Sequence, residues 1–193
     1  MTPAADLNCA VFAGSRLLAR GAPADVLPAL IAAAEAGQAP VAYDLATGMM
    51  AEFDLRGGLA ASLARLPPPP QPERRGPGRP KLGVAAREVT LLPRHWDWLA
   101  AQPGGASVAL RKLVEAALRD SEGPDRARRA REAAYRLMTA VAGDLPRYED
   151  ATRALFAGDW TAFDAATAAW PEGLKDVLGA MTEPAWRNGQ GRP

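Results

Sequence analysis

Apolar residues change their spacing along this chain, and the changes divide it into parts. Residues 8–13 (Asn-Cys-Ala-Val-Phe-Ala) form a short β-type run, Gly14-Ser15 supplies a two-residue hairpin turn, and a second strand follows near 16–20. From Pro23 the period lengthens. Val26, Leu27, Leu30, Ile31 and Ala34 recur at helical spacing until Gly37, with Pro23 in a first turn where its missing N–H has no partner to lose. Residues 41–45 and 49–55 return to strand-like composition on either side of Thr47-Gly48. The pattern predicts an α+β fold that begins with a small ββαββ domain over residues 1–66, closed by a short helix over 59–65.

Residues 67–86 break the periodicity. Pro67-Pro68-Pro69-Pro70-Gln71-Pro72 favours polyproline II, a semi-rigid spacer, and the basic stretch Arg74-Arg75-Gly76-Pro77-Gly78-Arg79-Pro80-Lys81 follows it. A third segment then packs several signals into residues 87–120. Arg87 to Leu92 is β-prone and closed by Pro93; Arg94 to Gln102 reads as a short helix whose Trp96, Leu99 and Ala100 share a face. Pro103-Gly104-Gly105 ends that helix, and Ser107 is placed to cap a second one over 108–119. Leu110, Leu113, Val114 and Ala117 form its apolar stripe.

Residues 121–186 read as a helical bundle: helices over 126–142, 148–157, 160–170 and 174–181, punctuated by Gly143, Gly158 and Pro171. The Ser-Glu-Gly-Pro-Asp run at 121–125 is expected to separate this bundle from what precedes it. Residues 187–193 are expected to be a disordered tail.

Charge changes this picture only in the middle. The chain as a whole is nearly neutral at +1, yet residues 66–86 carry four basic side chains against one acid. Any phosphate-binding surface is expected there and just beyond it. With 48% hydrophobic residues the chain has the material for a core. Cys9 is the single cysteine, so no intrachain disulfide and no thiolate metal cluster can form. His95, the single histidine, lies beside Trp96 and Trp98 with no second ligand and reads as structural. Neither a signal-type leader nor a membrane-length apolar run is apparent, and a cytoplasmic location is expected. Asp44, Glu52 and Asp54 read as turn and edge charges. Without a phosphate loop or an activated nucleophile, no catalytic residue, metal or cofactor is expected, and an enzyme is the unfavoured class.

The basic segment resembles an AT-hook. Gly78-Arg79-Pro80, flanked by Arg74, Arg75 and Lys81, cannot form a helix and has the small residues that let a backbone lie against the floor of an A·T-rich minor groove. The strand, helix, turn and helix over 87–119 resemble a ribbon-helix-helix unit, in which two chains pair one strand each. A lone strand cannot satisfy its own backbone, which drives such a chain toward a homodimer. The resemblance implies that Arg87 and Thr90 lie on the ribbon and that Ser107, Arg111 and Lys112 meet phosphates at the start of the second helix. The reading is a cytoplasmic or nucleoid-associated homodimeric DNA-binding protein. Its alternative is a scaffold that uses the same dimer unit without nucleic acid.

Longer strings carry a family resemblance. Tyr43-Asp44-Leu45-Ala46-Thr47-Gly48, Phe53-Asp54-Leu55-Arg56-Gly57, Leu91 through Leu99, Gly105 through Val114 and Phe163 through Pro171 are similar to domain-of-unknown-function family 2239, over nearly the whole chain. That resemblance implies a bacterial protein and assigns no catalytic or ligand-binding residue.

Overall fold

The computed structural model describes residues 8–67 and 87–186. Its elements run β1 (Cys9–Ala13), β2 (Arg16–Gly21), α1 (Pro23–Glu35), β3 (Pro40–Asp44), α2 (Gly58–Ala64), α3 (Pro93–Ala100), α4 (Gly105–Ala142), α5 (Tyr148–Ala157), α6 (Trp160–Thr167) and α7 (Glu172–Trp186). The chain is α+β and divides into two compact units. One combines residues 1–71 with 123–193; the other is 72–122.

The larger unit is built around an antiparallel sheet of order β2-β1-β3. Gly14, at φ +57°, lets the chain reverse between β1 and β2. Being central, β1 is covered on both faces, which explains why Cys-Ala-Val-Phe is continuously apolar rather than alternating. Cys9, Val11 and Ala42 face Val26, Leu27 and Leu30 of α1. Ala10, Phe12, Tyr43 and Leu45 face the other way, into a core with Leu137 and Met138 of α4, Leu155 of α5 and Leu178 of α7. The sheet and the C-terminal helices, read from the sequence as the separate domains 1–66 and 121–186, therefore share one core.

The turn after β3 is fitted closely to α4. The Asp44 carboxylate accepts from the Ala46 N–H at 2.9 Å and the Thr47 hydroxyl at 2.8 Å, which holds the reversal. Gly48 sits at φ +69°, and a Cβ there would run into the Ala133 carbonyl. Arg136 donates from Nη1 to the Thr47 carbonyl at 2.9 Å.

Three expectations are corrected here. The strand expected at 49–55 is reduced to one bridge, Tyr43 with Met50. Beyond it Phe53 and Leu55 pack beside α1, because that side of the sheet still has apolar surface to cover. The observed order is thus ββαβ. The helices expected at 108–119 and 126–142 are one helix of 38 residues that runs through Gly123-Pro124. Pro124 withdraws one hydrogen bond from the Asp120 carbonyl, but both residues are exposed and water can take that bond. Finally, α6 stops at Thr167, and α7 starts earlier and ends later than 174–181.

Capping explains the remaining boundaries. Asp159 accepts from the Ala162 N–H at 2.9 Å as the cap of α6, and Gly158 at φ +71° closes α5. Trp170 donates its indole N–H to the Pro146 carbonyl at 2.8 Å, which satisfies the polar atom of a buried ring. No helix among the described residues is long and apolar enough to cross a membrane.

Candidate nucleic-acid interface

Of the residues singled out for contact with nucleic acid, the described ones, Arg87, Thr90, Ser107, Arg111 and Lys112, belong to the smaller unit. Residues 87–92 form neither strand nor helix, and Leu92 is extended at φ −68°, ψ 150°, as a residue before proline must be. The strand expected there is not formed, because within one chain this segment has no neighbouring strand to bond. Pro93 opens α3, with the His95 N–H donating to the Leu92 carbonyl at 2.8 Å. The connection to α4 depends on glycine. Gly104 and Gly105 stand at φ +87° and +74°, and a Cβ on Gly104 would lie 3.1 Å from Val108.

Because those two glycines already turn the chain into a helix at 105, Ser107 lies within the first turn of α4 and not at its cap as expected. Arg111 sits one turn on and donates from Nε to the Ser107 carbonyl at 3.1 Å. Lys112 follows Arg111 but points about 100° further round the helix, so the two cations do not share a face. Arg87 and Thr90 are exposed. The remaining candidates, Arg74, Arg75, Arg79 and Lys81, lie outside the described residues, as do the linker 68–86 and the tail 187–193.

What the sequence reading missed is the state of the apolar stripe. Leu113 and Val114 of that stripe are 50% and 55% exposed, and Leu118, which the stripe did not include, is 64% exposed. Trp96, Trp98, Val89 and Leu92 are exposed too, and only Leu99 and Ala109 are buried among the described residues of this unit. An amphipathic stripe in a segment too short to cover it was the available signal.

Other candidates resolve into structural roles. Cys9 is buried; burial first, and the Asp44 charge second, push its thiol up to about 11, which leaves almost no thiolate at neutral pH. Asp54 accepts from Arg56 at 2.9 Å and 2.7 Å, and these bonds hold its carboxyl well below the usual carboxylate range. Arg128 pairs with Glu132 at 2.9 Å and Asp125 at 3.5 Å, which makes a salt-bridged helix face. Among the described residues no group of three or more His, Cys, Asp or Glu side chains is placed to hold a metal ion.

A family model described as an uncharacterized protein conserved in bacteria, DUF2239, matches residues 8–182. The chain belongs to the DUF2239 family. No curated protein and no solved structure matches it. The DUF2239 match runs from β1 into α7 and so takes in both the shared core and the exposed apolar surface of the smaller unit.

Proposed function

We propose that this DUF2239 protein is a homodimeric DNA-binding protein, a transcriptional regulator or nucleoid-associated factor of the cytoplasm. One observation carries the proposal: a unit of two helices and an unpaired segment leaves its large apolar side chains in water, which a second copy would cover. Pairing would give residues 87–92 the strand neighbour they lack in a single chain. It would also bring two Arg74–Lys81 segments to one duplex, with Arg79 reaching into an A·T-rich minor groove. Arg87 and Thr90 on the ribbon, with Ser107, Arg111 and Lys112 at the start of α4, would position the dimer on the phosphates.

A salt titration against an A·T-rich duplex tests this reading. Four cations meeting phosphates give a slope of log K against log salt of about −3.6 for one arm, steeper for two. Arg79→Ala is expected to weaken binding and flatten that slope. Absent or salt-insensitive binding by the native chain ends the DNA reading. The scaffold reading would then stand, favoured by a separate observation: Val89 and Leu92, on the segment meant to read DNA, are apolar and exposed.

A further inference from the structure

We infer that residues 110–126 of α4 are a helix–coil switch, open part of the time in a single chain and closed when two copies associate. The inference rests on the homodimer reading and adds the conformational step to which pairing is coupled. None of residues 110–126 is buried, whereas Ala109 before them and Ala127, Ala134, Leu137 and Met138 after them are. About 26 Å of helix therefore runs without a core to hold it. A helix in a protein draws most of its stability from packing one face, and a stretch of this length in water is marginal even when built from good helix formers.

The stretch also contains the worst ones. Gly123 and Pro124, the two least favourable residue types for a helix interior, stand side by side, and the boundary between the two compact units falls just before them. Pro124 has no N–H for the Asp120 carbonyl, and a proline ring crowds the carbonyl four residues back. Glu122 and Arg126 have partners in the fold, but pairs between exposed side chains add little to a helix. An opening that starts at Pro124 therefore spreads through Leu118 and Val114 toward Ala109, while Leu137 and Met138 stay packed in the shared core.

Association closes the switch. Val114 and Leu118 are more than half exposed, and a second copy can cover them together only while they stand on an intact helix. A partner that binds the closed form alone shifts the population toward it. The coupling is reciprocal, so a mutation that closes the helix tightens the dimer. Both copies must be closed to pair: with a closed fraction of about one third in the single chain, the dimer is about tenfold weaker than its contacts allow.

The test uses the full chain without DNA and reads hydrogen exchange below and above the dimer dissociation constant found by sedimentation. Below it, the amides of residues 113–126 are expected to exchange about a hundredfold faster than those of 134–141 in the same helix. Above it they are expected to slow about tenfold, with no change at 134–141. Pro124→Ala, at an exposed position, is expected to slow that exchange in the dilute chain and to lower the dimer dissociation constant about tenfold; Gly123→Ala should act the same way to a smaller degree. Even protection along α4 in the dilute native chain overturns the switch. A native dimer whose exchange at 113–126 is unchanged by association, or whose dissociation constant Pro124→Ala leaves as it was, also overturns the switch and leaves the dimer standing. A native chain that stays monomeric at all accessible concentrations overturns the dimer reading and the switch with it.

Discussion

The two units use the same kind of side chain in opposite ways. In the larger one Phe12, Leu137, Met138, Leu155 and Leu178 are almost wholly removed from water; in the smaller one Leu113, Val114 and Leu118 are half exposed or more. Both groups follow regular strand or helix spacing, so periodicity alone does not separate a core from an interface. What separates them is the supply of covering surface. The larger unit has a sheet with helices on both faces, and the smaller one has α3 and one end of α4.

Mutations can break this contrast at either end. Phe12→Ala should have the largest effect, a loss of about 3–5 kcal/mol of stability seen as a lower denaturant midpoint, because it empties space between the sheet and α4. Leu118→Asp should do the reverse. It is expected to leave monomer stability within about 0.5 kcal/mol, since the side chain is exposed, while raising the dimer dissociation constant at least tenfold by sedimentation. Loss of monomer stability comparable to Phe12→Ala would show that Leu118 belongs to a core after all. Asp159→Ala, which removes the cap of α6, should cost about 1 kcal/mol in the same denaturant measurement and leave association unchanged.

Asp54→Asn should have the smallest effect. The folded-state pKa of Asp54 is lowered by Arg56, so whatever it contributes is present above the ordinary carboxylate value and lost as pH falls through the folded one. Native and Asp54→Asn proteins should therefore keep a constant, small offset at neutral pH and converge only below about pH 4 in an acid titration. Convergence at higher pH would contradict the Arg56 contact.

Much of the local structure was legible in the residues themselves. Gly14-Ser15, Pro23 and the strand-like run 41–45 locate β1, β2, α1 and β3 to within about two residues, because turn chemistry and short-range periodicity are local properties. The shared core was not legible. Phe12 shares one core with Leu137 and Leu178, more than a hundred residues away, and no window along the chain encodes that association. The missing strand at 49–55 fails for the same reason: Phe53 and Leu55 answer to α1 and not to their own spacing. Gly123-Pro124 misled in the other direction, since a proline on the exposed side of a long helix forfeits a single bond. Of the candidate contact residues, Ser107 was misplaced by three positions because Gly104-Gly105, not a serine cap, starts α4.

The single thiol of this chain gives it a built-in clock. Cys9 lies in the middle strand with packing on both faces and has almost no nucleophilic form at neutral pH, so an alkylating reagent must wait for the sheet to open. The rate of its labelling thus times the rupture of the innermost layer, separately from any loosening in residues 87–122.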